Sequence, residues 1–251
     1  MPVREGFFAF LEDIGAQGDG FKLFGGTHLA MLSAMAVVIA ALCFIYRRLD
    51  KKRRASMLKT VAVVIFALEA AKQFSFPVIH GRYWLDQLPL HLCGLSIFIE
   101  LIHAFAPNRS TGEILYCLCL PGAVAALLFS NWSMYPITNF YCLQSFFIHA
   151  LHIAFPLMLL VASEIVPDIK RLWHAAVFLL AVVPAVYFIN IKLGTNFFFV
   201  NAGSEGSPLE IFIRLAGVPG FLFLYAGLLI TVWFLLYLPW VVVKKRGGKT
   251  E

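Results

Sequence analysis

The sequence predicts an all-α fold: a polytopic transmembrane helical bundle of about seven helices, with the N-terminus outside and the C-terminus inside. Hydrophobic residues make up 61% of the 251 positions and charged residues only 14%. The mean hydropathy of +0.83 is well above that of a soluble domain. Apolar windows of about 20 residues, the length that crosses a bilayer as a helix, recur along the chain. Lys and Arg gather in alternate connections between those windows, the distribution that orients membrane proteins.

The apolar windows fall at 26–46, 57–79, 88–106, 113–130, 142–163, 175–192 and 219–243. Residues 1–24 lack the basic head and cleavable apolar core of a signal peptide. Their Phe7, Phe8, Phe10 and Leu11 predict a short interfacial helix instead. The chain thus reads as an interfacial segment at 1–24, a single transmembrane domain at 25–243 and a basic cytoplasmic tail at 244–251. The first span runs directly into Arg47, Arg48, Lys51, Lys52, Arg53 and Arg54, which the positive-inside rule keeps in the cytoplasm. Seven crossings then leave Lys244, Lys245, Arg246 and Lys249 inside as well. Counting the Lys and Arg at the adjoining ends of the windows, the inner side holds about fourteen and the outer side about five.

Two segments depart from the simple pattern of apolar spans. Glu69 and Lys72 stand three residues apart inside the second span, so they can share a helix face and pair. Residues 208–216, with Glu210 and Arg214, read as an interfacial segment before a last helix from Pro219, because one continuous helix would overshoot the bilayer. No repeat, low-complexity tract or pair of inverted halves of the transporter kind is visible.

The formal charge of +6 and the pI near 9.1 are accounted for by orientation signals, so nucleic acid is not implied as a partner. Membrane lipids are. Cys43, Cys93, Cys117, Cys119 and Cys142 lie in or beside apolar segments, without the spacing of a disulfide framework or a zinc site. They are expected to pack, with Cys93 the exception. No cofactor or metal is implied.

Cys93 stands apart because Leu88-Pro89-Leu90-His91-Leu92-Cys93 puts an imidazole and a thiol just inside the start of an apolar span. Ionisable groups in a bilayer are expensive and need a partner or a task. At about 1.5 Å per residue, His91 and Cys93 fall roughly 5 to 8 Å below the outer boundary, and His149 of the fifth span about 9 to 10 Å below it. His152 follows one turn deeper. A single membrane histidine more often bonds a neighbouring helix, and a single cysteine more often packs. A shared depth is the stronger demand, and it joins His91, Cys93 and His149 as a candidate site. His152, His103, Glu69 and Lys72 are read as structural, and Tyr83, Trp84, Trp132 and Tyr135 as an aromatic belt on the outer side.

Four stretches together resemble a known family. Leu88 to Cys93, Phe146-Phe147-Ile148-His149, Leu193-Gly194-Thr195-Asn196-Phe197 and Leu236-Tyr237-Leu238-Pro239 are similar in order and spacing to the YwaF-like family of bacterial integral membrane proteins. That family is in turn similar to a eukaryotic group of polytopic membrane acyltransferases that remodel ether phospholipids with polyunsaturated chains through a Cys and a His. The resemblance implies a bacterial plasma-membrane location, Cys93 as nucleophile and His149 as its base. The chain departs from the family pattern at Gly94, where an acidic or amide residue often follows the Cys, and at Gly217 to Phe221, a stretch that is usually Trp-rich.

The chemistry implied is acyl transfer. An ordinary thiol, with a pKa of about 8.5, is mostly protonated at neutral pH, so attack on an ester needs a neighbouring base. His91, Asn139 or Asn196 could donate to the developing oxyanion. Asn196 is preferred, because its Gly-Thr-Asn turn lies on the outer face and Gly194 permits a tight backbone path. The competing expectations are a transporter or lipid-binding protein whose polar cluster lines a cavity, and an assembly partner whose polar residues lock helices together.

Overall fold

A computed structural model describes residues 6–10, 20–81, 83–203 and 207–247, with 243–247 as backbone alone. Among the described residues there are helices and no strands. In chain order they are α1 (Gly26–Arg48), α2 (Lys51–Ser75), α3 (Leu92–Phe105), α4 (Arg109–Leu128), α5 (Phe140–Val161), α6 (Trp173–Leu193), α7 (Pro208–Ala216) and α8 (Phe221–Gly247). Six of these elements are long and apolar enough to cross a membrane, and each overlaps a predicted window. α7 is the predicted separate segment before the last span.

The third window differs. It is predicted as a span over 88–106, yet its helix starts only at Leu92 and has 14 residues, about 21 Å against a hydrocarbon core of about 30 Å. Proline is the cause. Pro89 has no N–H to give a helix and holds Leu88 extended, at φ −54° and ψ 142°. The chain therefore descends as non-helical backbone to His91, which caps α3 at φ −68° and ψ 162°. Irregular backbone at such depth is tolerated only where protein covers it.

The helices are not equivalent. In α5, 67% of the apolar window is buried inside the protein and in α4 56%, against 11% in each of α1, α6 and α8. α5 is thus the axis, packed on α1, α2, α3 and α4, while α1, α6 and α8 turn most of their surface to lipid. Polar latches hold the outlying α8. Pro121 cannot donate to the carbonyl of Cys117 four residues back, and Trp233 Nε1 of α8 donates to that carbonyl instead, at 2.9 Å. The Tyr116 hydroxyl donates to Leu236 O at 2.6 Å, within the turn loosened by Pro239. The Tyr237 hydroxyl donates to Glu113.

At the outer end, residues 6–10 form a turn closed by Ala9 N–H to Gly6 O at 3.1 Å, not the predicted interfacial helix. Leu11 lies outside the described residues. The turn wins because tertiary contacts claim it. The Asn139 amide donates to Ala9 O at 2.8 Å, and Phe10 is buried against Trp84, Phe76 and Tyr141.

The charge distribution fixes an expected orientation: a carboxy-terminal green fluorescent protein fusion should fluoresce, and a carboxy-terminal alkaline phosphatase fusion should be inactive. An active phosphatase would invert the bundle.

Candidate functional site

The site is built where α3 starts and where the outer half of α5 passes it. His149 lies on α5 with its Nδ1 2.7 Å from the carbonyl of Ser145, one turn earlier. A carbonyl only accepts, so Nδ1 carries the proton and a neutral ring keeps its lone pair on Nε2. The ring is clamped face to face on Trp132, with centroids 4.9 Å apart and planes 20° apart. Trp132 is buried, 7% exposed, and so is Tyr135. These two are not the lipid-facing belt predicted for them. The loop before α5 folds them inward over its outer end, where Trp132 fixes the plane of His149.

His91 is held from the other side. Its Nδ1 accepts the Phe198 N–H at 3.3 Å, which leaves the proton of a neutral ring on Nε2, as a donor. Phe197 and Phe199 pack its ring at centroid distances of 5.2 and 5.0 Å. Phe198 and Phe199 can serve this way only because both have left-handed backbone, at φ 57° and 54°, conformations that non-glycine residues adopt at a cost. Buried Asn190 offsets that cost. Its Oδ1 accepts from Phe197 N–H at 2.8 Å and its Nδ2 donates to Phe197 O at 2.9 Å.

Asn196 does not take the predicted oxyanion role in this geometry. Its Oδ1 accepts the N–H groups of Ala202 and Asn201, and its Nδ2 donates to the carbonyls of Ala202 and Gly203. Every polar atom of the amide closes its own loop, the usual fate of Asn in a turn. Asn139, the other amide considered, caps α5 at Tyr141 N–H and donates to Ala9 O. His91 is the remaining side-chain donor of the three.

Cys93 is half-buried in the first turn of α3. The first amides of a helix have no intrahelical acceptor, so those of Cys93 and Gly94 offer N–H groups beside the sulfur. Gly94 is required sterically, since a Cβ there would sit 2.3 Å from the Pro89 carbonyl oxygen. An acidic or amide side chain therefore has no place at 94 in this backbone. Acidic groups come from elsewhere. Glu69 of α2 pairs with Lys72 at 3.0 Å, as the spacing predicts, and fully buried Glu100 of α3 accepts from His152 Nδ1 at 2.9 Å.

Three contributors escaped the sequence reading. Lys72 lies within electrostatic reach of His91, Cys93 and His149 alike, which makes it the common neighbour of the cluster. The Glu100–His152 pair stands beside His149, the rings of His149 and His152 being 6.0 Å apart, and His152 Nε2 is buried without a hydrogen-bond partner among the described residues. Tyr225, near the outer start of α8, is within electrostatic reach of Cys93. The i,i+3 spacing of Glu69 and Lys72 was a usable signal, and so was the unusual depth of Glu100. Nothing in the sequence ties Tyr225 to the thiol. No group of three or more His, Cys, Asp or Glu suited to a metal ion occurs among the described residues.

A sequence model described as the TMEM164 family matches residues 23–237, a stretch that contains every side chain of this cluster. No curated protein and no solved structure matches the chain.

Gly94→Ala should destabilise the fold by about 1–3 kcal/mol, because the methyl must displace backbone. Gly122→Ala should cost less: its Cβ would meet Leu92 Cδ2 at 2.9 Å, the end of a side chain that can rotate away. Thermal unfolding of the two variants in one detergent measures the order.

Proposed function

The chain belongs to the TMEM164 family of membrane proteins, and from that premise we propose that it is a lipid acyltransferase with a Cys93–His149 site near the outer membrane face. The observation that carries the reading is the tautomer of His149. With Nδ1–H pinned to Ser145 O, the ring offers Nε2 as a base, and its orientation is set by Trp132.

In the proposed reaction His149 Nε2 takes the thiol proton as Cys93 sulfur bonds to the ester carbonyl carbon of a phospholipid. The oxyanion is met by His91 Nε2–H and by the free amides of the first α3 turn. Collapse breaks the C–O bond, and the lysolipid oxygen leaves with the proton from His149. A thioester remains on Cys93. An acceptor hydroxyl then gives its proton to His149 and attacks the thioester, and the released sulfur recovers that proton. No cofactor is consumed. Glu100 and His152 act behind the base, as a buried pair that fixes the polarity on the inner side of His149, and Lys72 balances negative charge that builds at the sulfur and the oxyanion. The YwaF-like resemblance supports these roles for Cys93 and His149 and a bacterial plasma-membrane location.

Intact-protein mass spectrometry of the purified chain incubated with defined phospholipids should reveal a hydroxylamine-sensitive acyl adduct on Cys93. Cys93→Ala should lose adduct and transfer while keeping its fold, Cys117→Ala should be silent, and His149→Gln should slow adduct formation at least about a hundredfold, the usual worth of a positioned base. Full transfer by Cys93→Ala would reject covalent catalysis here. Substrate flux across the membrane without any adduct would favour a transporter.

Glu100→Gln offers a separate check on the buried pair. It keeps size and a hydrogen bond to His152 but removes the charge, and it should move the pH profile of adduct formation while leaving thermal stability within about 1–3 kcal/mol of wild type. An unchanged pH profile would reduce the pair to packing.

A further inference from the structure

At the end of the bundle opposite Cys93, the start of α2, the α3–α4 connection and the segment after α5 border a half-open cavity of about 700 Å³. That volume lies in the range of sites that hold a small molecule. By the positive-inside rule this end is cytoplasmic. Four cations, Lys51, Arg54, Arg109 and Arg171, line it against two carboxylates, Glu113 and Glu164, and even with Asp168, which stands beside Glu113, the cations outnumber the carboxylates.

The two carboxylates are already engaged. Glu164 accepts the Tyr46 hydroxyl at 2.6 Å and lies 3.5 Å from Arg54. Arg54 also donates to the carbonyls of Tyr46 and Arg47 at 3.0 and 2.6 Å, so its guanidinium is a fixed brace rather than a free contact. Glu113 accepts the Tyr237 hydroxyl and the Asp168 N–H. That leaves Lys51, Arg109 and Arg171, none of them in an ion pair among the described residues, with Arg171 within electrostatic reach of Glu113.

Behind these charges the wall is apolar, with Leu58, Leu159 and Ile165. His103 adds one polar end. The Thr111 hydroxyl spends its proton on Asn108 O at 3.1 Å, so it accepts from His103 Nδ1 at 2.8 Å, and His103 Nε2 is left at the cavity wall. Charge at the rim and hydrocarbon behind it match an anion carried on an apolar body.

We propose that this cavity binds a phosphate monoester, with Lys51, Arg109 and Arg171 on the phosphate oxygens and the apolar wall on the adjoining carbon chain. Guanidinium groups suit phosphate geometry, and two arginines with a lysine can neutralise a dianion. The source is either an inner-leaflet lipid headgroup or a soluble phosphate ester, and the site is independent of the thiol at the other end.

The test uses the full chain purified in detergent. Native mass spectrometry would compare retention of phosphatidate with retention of diacylglycerol, which has the same chains and no phosphate, with pyrophosphate as soluble competitor. The wild type should retain phosphatidate over diacylglycerol. Lys51→Ala/Arg109→Ala, two exposed positions whose loss leaves the fold intact, should weaken retention about tenfold or more, and Arg171→Ala should weaken it further. Arg48→Ala, a cation of the same membrane face outside the cavity, should not. Cys93→Ala should bind as wild type does, which separates this proposal from the acyl-transfer reading. Competition by pyrophosphate would assign the site to soluble phosphates, and its absence would assign it to the lipid headgroup; both support the proposal. Equal retention of the two lipids by wild type, or undiminished retention by the double variant, would overturn it.

Discussion

Hydrocarbon supplies no hydrogen bonds, so each polar group inside this bundle must be met by another part of the chain. α5 answers most of that demand. It is the most enclosed span, and along one helix it carries Asn139, Gln144, His149 and His152, which bond, in order, residues 6–10, α2, its own preceding turn and α3. Placing those side chains on one axis commits the surrounding helices to positions from which they can reach it. The outlying α8, largely exposed to lipid, is fixed by the same logic from a different partner, through Trp233, Tyr237 and Tyr116 near the prolines of α4 and α8.

The spans were legible because their signals are local. Twenty apolar residues between charged connections report a crossing wherever they occur, and α1, α2, α4, α5, α6 and α8 all follow their windows. The start of α3 was missed by four residues, since hydropathy counts Leu88 and Leu90 as membrane while Pro89 forbids them a helix. Of the interfacial helix expected at Phe7, Phe8, Phe10 and Leu11, the described residues 6–10 form a turn for another reason. Tertiary burial of Phe10 and two hydrogen bonds to the start of α5 outweigh a short amphipathic pattern.

The candidate site was legible only in part. Depth arithmetic brings His91, Cys93 and His149 to one layer, but depth carries no information about azimuth or about which atoms are already spent. Asn196 fits the layer and is consumed by its own loop. Trp132 fits a belt and is turned inward by the loop before α5. Glu100 and His152 are far apart in sequence, and only helix packing reveals that they are hydrogen-bonded. Long-range partners of this kind leave no periodic trace.

The left-handed Phe198 and Phe199 orient the second imidazole. Two adjacent bulky residues at positive φ cost about 1–3 kcal/mol each, and no local preference of the sequence Phe-Phe-Phe favours them. They persist because buried Asn190 holds both backbone groups of Phe197 and Asn196 closes the loop beyond. That strained backbone delivers one N–H to His91 Nδ1, which sets the proton on Nε2. His149 receives its tautomer from the opposite direction, by donating to Ser145 O. One imidazole is thus left as a donor and the other as an acceptor. On the proposed reading the acceptor takes the thiol proton and the donor meets the oxyanion, so the two tautomers are opposed in the sense that reaction would use.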